Sequence, residues 1–409
     1  MLTNVRSILG VVVPALDQGG GVPAVGRFVL DTARRAERYQ IKLVSMACSA
    51  DDPAHLRLRR PSSWLRGPLA SYREWEGFSY LYVGAVAGEL EFQRYRPRSA
   101  LHKALADCDL IQVVSGSPAP ANAVCGLGMP VALQCATRAR VERRRRDADP
   151  RSPGGWWRKA MTEITDRMDD RALRTVDAIQ VENPWMFDYA QQLNVGRNVD
   201  LRYAPPGVDV RAFHPLSERD LVSDPYILCV GRLDDLRKNI KLLLEAYAAM
   251  PGEIQNRVRL VLAGSSGPDQ TFWTRAESLG VDRQVSYIER PTREALITLY
   301  QHAAAFALPS DEEGLGVVLL EAMGCGIPVV STRSGGPDGI ISDGTDGFLV
   351  PLDDAPALSD RLARLCSDEE LNRSMGLAAR GTVERRYAEE VAGEAFVDMW
   401  DRLVAGTRR

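Results

Sequence analysis

The sequence predicts an α/β protein built as two doubly wound, Rossmann-like domains, and three observations carry that prediction. At 409 residues the chain is longer than one ordinary hydrophobic core supports. Short β-branched runs alternate with longer helical patterns from end to end, the signature of βαβ units and parallel sheets. Between two sets of such strands lies Tyr203-Ala-Pro-Pro-Gly-Val-Asp209, whose two prolines and glycine mark a linker. The expected division is residues 1–205, residues 206–388, and a C-terminal helix over 389–409 that can return to the first domain.

Taken in order, the strands of the first half are expected near 7–13, 41–46, 78–83, 109–114, 129–134, 176–181 and 200–204. Those of the second half are expected near 225–231, 257–263, 284–288, 304–308, 327–332 and 347–350. The last stretch has apolar residues at Val391, Ala395, Phe396, Met399, Trp400 and Leu403, a helical spacing that demands a partner surface. In doubly wound domains ligands bind beyond the carboxyl ends of strands, and two facing domains place a site in the cleft between them. Functional motifs are therefore sought just after strands.

Composition narrows the class. Apolar residues make up 45% and charged residues 26%, which excludes disorder over most of the chain. A formal charge of −3 gives no global attraction to nucleic acid, and none is expected as a partner. Seven scattered cysteines with no Cys-x-x-Cys pair argue against a disulfide framework or a zinc site, and fit a reducing cytoplasm. The apolar segment Ile8 to Val13 is too short for a signal core, and no run approaches the ~20 apolar residues of a membrane span.

The richest segment is Pro309-Ser-Asp-Glu-Glu-Gly-Leu-Gly-Val-Val-Leu-Leu-Glu-Ala-Met-Gly-Cys-Gly-Ile-Pro-Val-Val330. It reads as the end of a strand, a loop carrying Glu313, a helix opening at Gly314-Leu315-Gly316 and running through Met323, and a glycine stop before the next strand. Glu321 then lies inside the helix, at most roughly 12 Å along the axis from Glu313. Between them the amides of Gly314 to Gly316 sit where unpaired N–H groups and the helix dipole favour an anion. Taken alone, Glu321 reads more readily as an exposed helix residue and Glu313 as a first-turn dipole partner. Together with the amides they suit a sugar, a phosphate and a ribose.

A second cluster, Val230-Gly-Arg-Leu-Asp-Asp-Leu-Arg-Lys-Asn239, follows the apolar run from Tyr226. A guanidinium and an ammonium at a strand end are what a departing diphosphate needs, since both stay charged as charge builds on the leaving group. In the first half, Asp17-Gln-Gly-Gly-Gly-Val22 is a glycine-rich loop between a strand and the helical run from Val25, able to bring backbone close to phosphate.

These stretches, with Gly335-Gly336 and Asp343-Gly-Thr-Asp-Gly347, resemble the retaining glycosyltransferases of family 4 and their Glu-x7-Glu motif, most closely over residues 203 to 352. The resemblance implies the GT-B fold, with two Rossmann-like domains facing a central cleft and the donor held mainly by the second. It implies that Glu313 contacts hydroxyls of the donor sugar and Glu321 the nucleotide ribose. Gly314, Leu315 and Gly316 would place amides on sugar and phosphate, and Arg232 and Lys238 would stabilise the diphosphate, with Arg237 the less fitting alternative to Lys238. Gly231, Arg290 beside the nucleobase, and Gly20 and Gly21 of the first-half loop would complete the donor set. A nucleotide-sugar, UDP-linked first and GDP-linked second, is the implied donor, with no metal and no further cofactor. The acceptor would be a glycan, a lipid-linked or a small-molecule hydroxyl.

Two departures from the family pattern stand out. No histidine falls in the later loops of the first half, which read Ser115-Gly-Ser-Pro118 and Gln134-Cys-Ala-Thr137, so Ser115, Ser117 or Gln134 is left for the acceptor side. Gly339 stands where an acid is common, with Asp338 one place earlier. Separately, Arg138 to Lys159 holds nine basic residues against three acids, around Trp156 and Trp157, a patch suited to an anionic membrane face or an anionic acceptor.

Rival readings are weaker. A nucleotide-sugar epimerase or a phosphorylase shares the architecture. Glycosidase carboxylates straddle one bond, whereas Glu313 and Glu321 flank one helix start. An NAD-dependent oxidoreductase rests on Gly19-x-Gly21-x-x-Ala24, but no acid ends the following strand until Asp51.

Overall fold

The computed structural model describes residues 6–18, 20–147, 152–216 and 224–407. The chain forms two compact units, one of residues 1–206 with 392–409 and one of residues 207–391.

The first unit carries eight strands: β1 (Ser7–Pro14), β2 (Tyr39–Met46), β3 (Ala70–Trp75), β4 (Phe78–Val83), β5 (Leu110–Ser115), β6 (Val131–Cys135), β7 (Ala178–Val181) and β8 (Asp200–Tyr203). They lie in the order β3-β4-β2-β1-β5-β6-β7-β8. The sequence reading expects seven parallel strands here; β3 is an eighth and runs antiparallel to β4. Its cause is the two-residue turn Glu76-Gly77, whose φ values of 47° and 78° fit a tight hairpin that follows the sheet twist. β1 lies near the centre, buried almost throughout, because a parallel strand covered on both faces needs apolar side chains at every position.

Helix Glu389–Thr407 closes one face of this sheet from Ala392 onward. Its Phe396, Met399 and Trp400 are fully buried. Phe396 meets Phe28 edge to face at 5.2 Å between ring centroids, and Trp400 meets Tyr39 at 5.5 Å. The Trp400 indole N–H donates to Oε1 of buried Gln112 at 2.7 Å, so the one polar atom of the indole is satisfied inside the core.

The second unit holds six strands, all parallel: β9 (Tyr226–Arg232), β10 (Arg259–Ser266), β11 (Val285–Glu289), β12 (Ala305–Leu308), β13 (Val329–Thr332) and β14 (Phe348–Val350). Their order is β11-β10-β9-β12-β13-β14, with apolar clusters on both faces of the sheet. The order reverses between β9 and β12, which makes their carboxyl ends the topological switch point of this unit.

Candidate active site

The two cation- and acid-bearing loops predicted from the sequence leave the carboxyl ends of β9 and β12, which are neighbours. Three consecutive residues of one loop pair with three consecutive residues of the other. The Arg237 guanidinium donates to Glu312 Oε2 at 3.0 Å, the Lys238 ammonium to Glu313 Oε1 at 2.5 Å, and the Asn239 amide to Asp311 Oδ1 at 2.8 Å. A backbone bond from Asp311 N–H to the Arg237 carbonyl, 2.8 Å, locks the register.

This pairing separates the two basic residues that the sequence leaves as alternatives. Arg237 is held by both Asp235 and Glu312 and is a strut. Burial alone would raise the Asp235 carboxyl, but the Arg237 side chain and backbone N–H outweigh it and hold it below the usual range. Lys238 instead points its ammonium at Glu313, the acid carrying the expected sugar contact. Arg232, at the end of β9, keeps its side chain about half exposed, 3.5 Å from Asp235. Gly231 precedes it, with its backbone packed against Gly264 of β10.

Glu313 is buried, and Oε1 also accepts from Ser310 Oγ at 2.7 Å. Its backbone is fixed too: its N–H donates to the Ser334 carbonyl and its carbonyl accepts from Gly336 N–H, each at 2.9 Å. A carboxylate held on both sides at one oxygen and through its own peptide groups is placed with little freedom. The helix after it is Val317–Gly324, three residues shorter at its start than the sequence suggests. Gly316 caps it with φ 87°, in the left-handed region where a side chain is strained, so Gly314 to Gly316 stay outside the helix as a loop that leads into its amide end.

Glu321 lies in the second turn of that helix, and its Oε2 accepts from the hydroxyl of fully buried Tyr300 at 2.7 Å. Burial pushes the Glu321 carboxyl up to about 7, against the opposing pull of the Tyr300 hydroxyl and Arg293. Arg290 follows β11 with φ 46°, unusual for a residue with a side chain, and is pinned by its N–H to the Gly264 carbonyl at 2.7 Å. Its guanidinium is three-quarters exposed.

The second unit thus brings together Arg232, Lys238, Glu313 and the Gly314 to Gly316 loop, with Glu321 in the second turn of the helix that follows the loop. Ser310, Tyr300 and Asn239 join them without having been singled out from the sequence. Ser310 lies within the quoted motif; Tyr300 has no local signal, being 21 positions from its partner. Asp338, one place before the family's acidic position, accepts from Gly335 N–H at 2.8 Å and serves the loop rather than the site.

Gly20 and Gly21 belong to the first unit, where Gly20 caps and Gly21 opens helix Gly21–Arg35 after β1; Gly19 lies outside the described residues. Of the three residues left for the acceptor side, Ser115 donates its hydroxyl to the Ser117 carbonyl at 2.7 Å. The Gln134 amide donates to Glu182, whose carboxyl burial pushes up to about 7. Both lie within the fold of the first unit, engaged with their neighbours.

Within Arg138 to Lys159, residues 148–151 fall outside the description. Arg138 is bound to Asp166 and Asp170, Arg140 to Glu163, and Arg143 to Glu91. Arg146 lies 3.4 Å from Asp147 as well, so at least four of the nine cations counted from the sequence are neutralised locally. Trp156 and Trp157 are exposed at the start of helix Pro153–Thr175.

The geometry is that of a doubly wound unit with a charged switch point, and comparison with known proteins shows what part of the chain is similar to. Residues 217–382 match the family described as Glycosyl transferases group 1, and the fold is of the GT-B type. Among relatives, a D-inositol 3-phosphate glycosyltransferase of Corynebacterium jeikeium is 33% identical over 219 residues, 50% of this chain and 52% of the relative. A GDP-mannose-dependent alpha-(1-6)-phosphatidylinositol monomannoside mannosyltransferase of Mycolicibacterium smegmatis is 32% identical over 201 residues, 45% of this chain and 52% of the relative. The chain thus spans about half the length of these relatives. Among solved structures, a sucrose-phosphate synthase of Thermosynechococcus elongatus has a TM-score of 0.70 at 20% identity, covering 98% of this chain and all of that one. Anabaena HepE in complex with UDP-glucose has 0.69 at 15%, covering 97% of this chain and all of that one.

Proposed function

We propose that the chain is a retaining glycosyltransferase that moves a hexose-type sugar from a nucleotide-sugar to a hydroxyl of a glycan, lipid-linked or small-molecule acceptor. The observation that carries the proposal is the 2.5 Å contact between Lys238 and Glu313 at the switch point. It unites in one place a cation for a departing diphosphate and a carboxylate for sugar hydroxyls. In this reading Arg232 and Lys238 offset the negative charge that grows on the diphosphate as the glycosidic bond breaks, and the Gly314 to Gly316 loop offers amides to the same group. The acceptor hydroxyl enters on the face the leaving group vacates, and the leaving phosphate oxygen takes its proton. Charge stabilisation rests on these fixed cations, so no metal is invoked.

The test is a thermal-shift panel of nucleoside diphosphates, their common sugar conjugates and NAD, run with a chelator present. One nucleoside diphosphate and its sugar conjugate are expected to raise the melting temperature, since a ligand that binds only the folded state stabilises it. UDP leads the panel and GDP follows, the latter reinforced by the GDP-mannose named for the Mycolicibacterium relative. Stabilisation by NAD alone, or a shift that the chelator abolishes, overturns the reading.

A pH dependence follows from Glu321. Its raised carboxyl favours the protonated form in the folded chain, so its contribution to stability is full below the ordinary carboxyl range and is lost as pH rises through about 7. Ribose hydroxyls donate best to the ionised form. Affinity for the intact nucleotide-sugar, whose diphosphate has no proton to lose near neutrality, is therefore expected to rise several-fold from pH 6 to pH 8. Glu321→Gln is expected to flatten that rise in a calorimetric titration; an equally steep rise in the variant removes Glu321 from donor binding.

A further inference from the structure

We infer that the first unit docks on an anionic lipid surface through the loop from Leu56 to Tyr72, a site distinct from the Arg138 to Lys159 patch. From Pro53 to Arg73 the sequence contains five arginines and no acidic residue. Arg57 is bound to Asp51 and Arg73 to Asp17. Arg59, Arg60 and Arg66 are exposed and their side chains form no ion pair among the described residues, although the Arg59 backbone N–H donates to Glu89 Oε1 at 3.1 Å.

Interleaved with these cations are apolar side chains in solvent. Leu65 is 95% exposed, Tyr72 79%, Trp64 56% and Leu58 51%. An isolated exposed leucine means nothing, but four large apolar groups within fifteen positions, among unpaired arginines, form the composition of a bilayer-interface segment. Tryptophan and tyrosine settle at the headgroup level, leucine enters the acyl boundary, and arginine pairs with lipid phosphate.

The loop is built to hold this presentation. Its ends are tied by Leu69 N–H to the Ala54 carbonyl at 2.8 Å and Gly84 N–H to the Leu69 carbonyl at 2.9 Å. Inside, buried Ser63 accepts from Arg57 N–H at 2.9 Å and donates to the Arg60 carbonyl at 2.7 Å. The Trp64 indole N–H is spent on the Arg57 carbonyl at 2.9 Å, so the ring stands with its polar atom satisfied and its carbon surface outward. Closed, self-bonded surface loops of this kind are commonly functional. A partner with both a negative surface and an apolar interior is what the loop complements, and an anionic bilayer has both. A second exposed pair, Trp156 and Trp157, stands beside the exposed Arg158 and Lys159, which form no ion pair among the described residues, on the same unit.

The inference does not depend on the transferase reading, because its test reads lipid binding and not turnover. The whole chain is sedimented with vesicles of phosphatidylcholine alone and of phosphatidylcholine mixed equally with phosphatidylglycerol, at low and at high salt. Binding is expected only to the anionic vesicles and to weaken with salt. Leu65→Glu, and separately Arg59→Glu with Arg60→Glu, are each expected to weaken binding about tenfold or more. Val195→Glu, at another exposed apolar residue of the same unit, is expected to change nothing. All these positions are on the surface, and unchanged melting temperatures check that the variants fold. Failure of the intact chain to bind anionic vesicles, or binding unaltered by the loop variants, overturns the inference. So does a concentration-dependent dimer that Leu65→Glu dissolves, which would assign the loop to a second copy of the chain.

Discussion

Alanine at Lys238 is expected to lower turnover at saturating donor at least about tenfold, and up to the hundredfold or more typical of losing one charge-stabilising donor. Glu313→Ala is expected to act at least about tenfold as well. The two residues touch at 2.5 Å, so each variant also strands the other's charge. Lys238 and Glu313 are mostly but not wholly covered, with side chains 18% and 10% exposed, which makes a stranded partner costly without forbidding the fold. The paired change Lys238→Met with Glu313→Gln leaves neither charge alone and separates the roles. If the contact is only a loop clasp, the double variant recovers turnover. If the ammonium works on the leaving diphosphate, the double variant folds at the wild-type temperature and stays slow. Near-wild-type turnover in Lys238→Ala removes the residue from the mechanism outright.

The neighbouring pairs bear on what those kinetics mean. Arg237 on Glu312 and Asn239 on Asp311 hold the same two loops together on either side of Lys238. A single substitution at Lys238 therefore leaves two of the three cross-loop side-chain contacts and the backbone bond from Asp311 to Arg237 in place, and a large loss of rate cannot be laid to the loops coming apart.

How far the sequence reached follows from the range of each signal. Strand positions were legible because buried parallel strands are continuous β-branched runs, and the thirteen expected segments each overlap an observed strand. The missing one, β3, lies at the sheet edge, with Ala70, Ser71 and Tyr72 exposed, so it carries no apolar run to betray it. Its signal was the Glu76-Gly77 dipeptide between alternating segments, a hairpin cue weaker than Asn-Gly or Asp-Gly. Helix Val317–Gly324 starts late because Gly316 takes a left-handed conformation that ends the loop, something glycine permits but does not announce.

Within the site, the residues themselves were readable and their partnerships were not. Lys238 and Glu313 lie 75 positions apart, and only the adjacency of β9 and β12 makes them a pair. The charge count over Arg138 to Lys159 shows the same limit. Summing a segment ignores carboxylates supplied from elsewhere, such as Glu91 on Arg143 and Asp166 on Arg138. The loop from Leu56 to Tyr72 has a smaller count of cations, yet the side chains of Arg59, Arg60 and Arg66 form no ion pair among the described residues.

Trp400→Ala is expected to destabilise the first unit by about 3–5 kcal/mol, because it empties the largest fully buried side chain among the described residues. The indole also satisfies Gln112, and leaving that buried amide without its donor adds about 1–3 kcal/mol. A fall in melting temperature on the order of 10 °C is expected for the transition of that unit. Trp400→Phe keeps an aromatic ring against Tyr39 and Phe396 but lacks the N–H, so it is expected to lose mainly the smaller share. If alanine and phenylalanine cost the same, the hydrogen bond and not the ring holds helix Glu389–Thr407 on the sheet. The apolar clusters of the second unit contain no part of this helix, so stabilisation by the nucleotide is expected to survive in both variants. A variant that melts early and no longer responds to nucleotide shows instead that the donor site depends on the first unit being folded.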